Sequence, residues 1–270
     1  VLLEDVTSLT AKGEAVSFSY ASWSAAHRDF LEGLIGSSMA LNLGTGYSSI
    51  AIQAASAGPH YYRTATGASG NWSDASNWTV SGDGVSWQSA TEAPNAENSV
   101  DIAIRGGSTI AVDSDVSIDQ TTVEDGAAVT VNMTVGVILA DGTGDELTVQ
   151  GTGAVDMNGS LDAADGQIVY TGAGTFNIAA PAFNVNSFAA GSSTVTFDGA
   201  AQWFPALTYH NLATAGMGTK TLSGNTTVNG TLTFETDESV SGGVHGKTVN
   251  GDITVRAAGL GDHSQLETVN

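Results

Sequence analysis

Cysteine is absent from this 270-residue chain. That excludes disulfides and thiolate metal sites, and it does not argue against export. Proline occurs only 4 times, and Lys and Arg together 7 times against 28 Asp and Glu. At a formal net charge of −21, the chain repels nucleic acid and has no basic patch to displace counterions. An anionic membrane surface is disfavoured for the same reason. Charged residues make up 13% of the chain, too few for the charged outer faces of a helix-rich protein. The longest strongly apolar run, VGVILA at 135–140, falls far short of the roughly 20 residues a membrane helix needs. Apolar residues nonetheless reach 41%, so a core can form and a disordered acidic tail is excluded. Val1 rather than Met opens the chain, as expected of a processed or trimmed chain whose signal peptide is gone. The acidic excess suits solubility, cation binding and a saline habitat.

What is present is glycine, 34 residues of it, together with Ser and Thr throughout. Up to about residue 65 the text is mixed. Val16, Phe18 and Tyr20 alternate with polar residues, as in a strand, and SSIAIQAAS at 48–56 does the same. Between them the period changes. Trp23, Ala26, Phe30, Leu31 and Leu34 fall on one helical face, with Ser22 placed to cap the start and Gly36 the end. This predicts a short helix over 23–35, set before the regular region as a cap.

From about residue 66 the chain becomes monotonous. Short runs such as STIAVDSDVSI, AAVTVNMTV, GQIVY, SSTVTF and GTLTF alternate apolar with Thr, Ser, Asn or Asp, and Gly, Asn or Asp closes nearly every one. Val129 to Leu147 is 18 residues, and Leu147 to Ile168 and Val228 to Val249 are each 21. MNGSL (157–161), VNGTL (228–232) and VNGDI (249–253) echo one another. A period near twenty in an all-strand text points to a solenoid. One coil cannot bury its own inner face, but stacked coils bury a continuous column, and Gly, Asn and Asp supply the corners. The expected fold is all-β, a right-handed parallel β-helix over 66–270 preceded by an N-terminal segment over 1–65. An antiparallel sandwich, or a pair of them, is the competing reading of the same short strands.

The regular region opens with GNWSDASNW (70–78). Pro94 follows in a loop, then SVDIAI, Gly106-Gly107, TIAVDSDVSI, TTV and DGAAVTV. This ordered set resembles the opening coils of bacterial extracellular right-handed β-helix modules of the glycine-patterned kind. Residues 193–234, from STVTF to GTLTF, are similar to repeats in secreted and cell-surface proteins of the Bacteroidetes kind. The resemblance covers roughly 62–255. It implies a secreted, adhesive or surface-structural protein, and glycan contact is compatible with it because some larger relatives carry glycan-acting domains.

Candidate sites follow from residue type. Trp72, Trp78 and Trp203 are candidate glycan contacts, since an indole face stacks on a sugar. The structural alternative has Trp72 and Trp78 plugging the first coil and Trp203 packing at a corner. Asp113 and Asp115 in DSDVSID, and Asp141, Asp145 and Glu146 in DGTGDE, offer the oxygens that calcium prefers. Neither stretch matches an EF-hand loop, so solvated corners are the alternative. The five His (27, 60, 210, 245, 263) have no metal-ligand spacing, and no GxSxG, P-loop or dinucleotide fingerprint occurs. Asp101 with Asp113 is the sort of carboxylate pair a glycan-cleaving β-helix would use, though nothing in the spacing forces it. Six Asn-x-Ser/Thr sequons are present, partly by chance in so Thr-rich a chain.

The open ends of a solenoid expose strand edges that must be covered or used. Val1, Leu2 and Leu3 read as a strand that a neighbour could accept, and Trp23, Phe30 and Leu34 as an apolar face over the first coil. The expectation is a non-enzymatic, exported bacterial protein at the cell surface: a fibre subunit assembling head to tail with itself, or an adhesin. The alternative is a glycan-binding or polysaccharide-cleaving β-helix, phage tailspikes included. No cofactor is expected beyond possible calcium.

Overall fold

A computed structural model of the chain describes residues 16–19, 39–43, 49–54, 59–140, 144–180, 183–235, 239–241, 247–255 and 266–269. The chain divides into two compact units, Val1–Gly58 and Pro59–Asn270. In the first, Val16–Ser19 and Met39–Leu43 both pair antiparallel with Ser49–Ala54, giving a three-stranded sheet with the last strand in the middle. Two of these strands follow the alternation seen in the sequence, and Met39–Leu43 is an addition to it. The expected 23–35 helix lies outside the described residues, as do Val1, Leu2 and Leu3.

The second unit is a parallel β-solenoid. Its spine is a nine-stranded sheet running from Ser69–Asn71 through Thr109–Val112, Ala128–Val131, Ala154–Met157, Thr175–Ile178, Thr194–Phe197, Asn211–Thr214 and Leu232–Phe234 to Ile253–Val255. Each strand pairs parallel with the one a coil later, and Ile110, Val129, Val155, Phe176, Val195 and Leu212 stack in register. A ten-stranded sheet supplies the other two strands of the earlier coils. Thr121–Val123 pairs with Leu147–Val149, and Val116–Ile118 with Gly136–Leu139. The 11-residue strand Ser160–Tyr170 belongs to both series, because it continues around a corner. Beyond Phe183–Ala189 two smaller sheets take over, one through Gln202–Phe204 and Thr219–Leu222, the other through Thr208–Tyr209, Thr226–Val228 and Lys247–Val249.

Parallel pairing at every step from Thr109 onward removes the sandwich reading, which requires antiparallel neighbours. The pairing also sorts the sequence intervals. Leu147 does stack on Ile168, and Val228 on Val249. Val129, however, stacks on Ile110 and Val155, not on the series of Leu147. The echoes divide in the same way. Asn229-Gly230 and Asn250-Gly251 follow register partners, and Asn250 Nδ2 donates to Asn229 Oδ1 at 2.9 Å. Asn158-Gly159 turns a different corner, between Ala154–Met157 and Ser160–Tyr170.

Inward positions form one apolar column. Its early coils are aliphatic, built on Ile102, Ile104, Ile110, Val123 and Val149. They enclose an apolar cavity of about 30 Å³ between Trp72, Ile118, Val131 and Met157. Later coils are aromatic. Phe176 and Phe183 meet edge to face at 5.4 Å, and Phe197 lies 6.3 Å from Tyr209. Corners are drawn in tightly. A Cβ on Gly174 would collide with the carbonyl oxygen of Gly153, and one on Gly251 with that of Gly230.

Candidate assembly and contact sites

The first coil is closed by its tryptophans. Asp74 accepts from the Ser76 amide at 2.9 Å and caps the short 3-10 turn Ala75–Asn77. Asn77 Nδ2 then reaches back to the Asn71 carbonyl at 2.9 Å, over a Gly70 that leaves it room. The reversal brings Trp78 onto Trp72, edge to face, with ring centroids 4.8 Å apart. Trp78 Nε1 donates to the Trp72 carbonyl at 2.8 Å, and Trp72 Nε1 to the Pro94 carbonyl at 2.9 Å. Both indoles are almost fully buried, at 1% and 2% exposure, and join the core. Neither ring face is open to a sugar in this arrangement.

Beside this closure His60–Thr64 pairs with Ser99–Ile104 on one side and antiparallel with Trp78–Ser81 on the other. Tyr62 points into the core, and burial, helped by Glu92, pushes its phenol up to about 12. The Arg63 guanidinium lies 3.8 Å from the centre of the Trp87 ring, a cation–π contact.

Most of the acidic candidates sit at corners and clasp a neighbouring coil. Asp113 accepts from the Ser73 amide at 3.1 Å and its hydroxyl at 2.7 Å. Burial acts to raise this carboxyl, but the two serine bonds prevail and hold it below the usual range. Asp115 accepts from the Gly136 amide at 2.7 Å. Glu146, only 3% exposed, accepts from the Gln167 amide. Asp145 is exposed, and Asp141 lies outside the described residues. Two acids outside the candidate set follow the same habit: Asp125 accepts from the amide and hydroxyl of Thr152, and Glu124 from the Gly106 amide. The Thr152 bonds hold Asp125 low. Among the described residues no group of three or more His, Asp and Glu is gathered within metal-holding range. A carboxylate that receives backbone N–H bonds from the next coil does there what a ladder bond does in the strands.

Trp203 is different. It stands on the outer face of Gln202–Phe204, 61% exposed, with Thr221 as its register partner. It is the one tryptophan of the three candidates that presents its ring to solvent.

Gln202 and Lys220, the register pair next to it, turn inward. They are 1% and 0% exposed, and residue type alone does not suggest that. Lys220 Nζ donates to Gln202 Oε1 at 2.8 Å and to the Gly199 carbonyl, while Gln202 Nε2 donates to the carbonyls of Ile178 at 2.6 Å and Ala180 at 2.8 Å. Nearby Asp198 has a buried Oδ1 that receives no hydrogen bond. Burial first, and then Asp156, raise its carboxyl against the pull of Lys220. A signal did exist in the sequence: Lys220 shares the parity of Leu222, and Gln202 that of Phe204.

No protein-family model, no curated protein and no solved structure matches the chain.

Proposed function

We propose that this chain is a non-catalytic structural module of an extracellular bacterial surface protein, a stiff solenoid segment within a fibre or an adhesin. One observation carries the reading. The nine strands of the spine keep parallel register from Ser69–Asn71 to Ile253–Val255 over a continuous apolar column. Such a column makes length and stiffness its product. The corner carboxylates and the Trp72–Trp78 pair add to that framework. The resemblance of 62–255 to bacterial β-helix surface modules points the same way. In this reading assembly runs head to tail through the strand edges at the ends, with Val1–Leu3 and the 23–34 face as contributors.

Negative-stain microscopy and light scattering of the purified chain at rising concentration test the assembly. Fibres, or a mass that grows with concentration, are expected. A monomer that persists at millimolar concentration overturns assembly and leaves the adhesin form.

Trp203 favours a second contact. Its exposed indole beside Thr221 suits stacking on a neutral sugar ring. Trp203→Ala is expected to abolish retention on immobilised bacterial or host glycans without changing the thermal midpoint. Equal retention of both proteins removes this contact.

A further inference from the structure

We propose that Lys220 and Gln202 are the two halves of an intramolecular isopeptide cross-link that ties neighbouring coils together inside the solenoid. The two residues are register partners on adjacent parallel strands, so their side chains enter the core side by side. Lysine at 0% exposure is unusual, because a buried ammonium must replace its hydration with hydrogen bonds within the protein, those to Gln202 Oε1 and the Gly199 carbonyl among them. The amine is held at 2.8 Å from the carbonyl oxygen of the Gln202 amide. The other end of that amide is pinned by its two bonds to Ile178 and Ala180. These bonds fix the orientation: the carbonyl faces the amine, and the NH2 group faces away.

Asp198 supplies the proton traffic. It directly follows the strand Thr194–Phe197, its Oδ1 is buried without a hydrogen-bond partner, and its charge and that of Lys220 act on each other. Transfer of a proton from the ammonium to this carboxylate turns two charged groups into two neutral ones, which burial favours. Rotation within the flexible lysine stem then carries Nζ from Oε1 to the face of Cδ. The Nζ–Cδ bond forms as the carbonyl electron pair moves onto Oε1. Within the adduct one proton passes from Nζ to Nε2, and Asp198 keeps the proton it took from the ammonium. The carbonyl reforms, the Cδ–Nε2 bond breaks, and ammonia leaves. No oxidation state changes, and no co-reactant is required. Fixed proximity of amine and amide supplies the high effective concentration that makes such a step feasible. The product is an uncharged amide, which removes the penalty of a buried charge.

The test is the intact mass of the full chain, followed by peptide mapping. The wild-type chain is expected to lie below its sequence mass by one ammonia. Digestion is expected to yield a branched peptide joining the segments that contain residues 202 and 220. Lys220→Arg, which keeps donors at the site but cannot form this amide, is expected at its full sequence mass. Lys220→Met repeats the check with an apolar side chain, and circular dichroism confirms that each variant is folded. Ring closure at the Asn-Gly corners also releases ammonia, but that loss persists in Lys220→Arg and gives no branched peptide. A wild-type chain at its full mass after prolonged incubation at mildly alkaline pH overturns the proposal. So does a wild-type chain that loses no more ammonia than Lys220→Arg and yields no branched peptide.

Discussion

Asp101 shows how much a single position contributes here. Its carboxyl lies in the strand Ser99–Ile104, half-buried, and burial raises it despite a bond from the Ile102 amide. A raised carboxyl favours the folded state while it is protonated. That contribution is present below the unfolded carboxylate range and is lost as pH rises through the folded value. At neutral pH the wild-type chain therefore carries a penalty that an amide avoids. Asp101→Asn is expected to raise the thermal midpoint at pH 7, with the gain fading as pH falls through the raised folded value and gone below about 4. A gain that is the same at every pH contradicts the assignment. At this scale the sequence is legible where residue type and position agree, as for Val228, Leu232 and Phe234, all buried. It misleads where they disagree. Trp72 and Trp78 suggest a sugar platform by type, yet each finds a carbonyl for its Nε1 and disappears into the core. Lys220 suggests solvent, yet its strand parity turns it inward.

The element that repeats is the coil, and its weak point is the corner. At Gly174 the preceding coil's Gly153 carbonyl and the Tyr170 ring occupy the space a Cβ needs. Gly174→Ala is expected to cost about 1–3 kcal/mol in urea unfolding, as overpacking typically does. At Gly136 a Cβ meets only side chains, the nearest atom being Ser160 Oγ at 3.3 Å, so Gly136→Ala serves as the comparison and is expected to cost less. Equal losses at both positions remove the steric account. The coil itself was readable from alternation plus glycine punctuation. Its exact register was not, because coil length varies. In the spine the first coil, from Gly70 to Ile110, takes 40 residues, and the later ones run from 17 between Val195 and Leu212 to 26 between Val129 and Val155. A fixed period slides out of phase across such changes, and that is how Val129 and Leu147, on different strands of the coil, are read as one series. Parallel pairing tolerates the variation, since each strand needs only its neighbour's hydrogen bonds and the corners absorb the extra residues.

For the whole molecule, charge opposes compactness. At −21 the chain repels itself, and repulsion between exposed carboxylates is screened within about 10 Å at 0.1 M salt. Raising sodium chloride from about 0.02 to 0.5 M is expected to raise the thermal midpoint and to promote association. A midpoint that falls with salt indicates that attractive pairs outweigh the repulsion.

The ladder hydrogen bonds of the solenoid run from coil to coil, along its axis. Tension applied along that axis loads one coil's bonds at a time, so the chain peels rather than shears. Each coil of about twenty residues releases roughly 70 Å of slack as it comes away. A module of this kind is a ribbon of weak clasps under load. It yields in steps as uneven as its coils and lengthens many times over before it breaks.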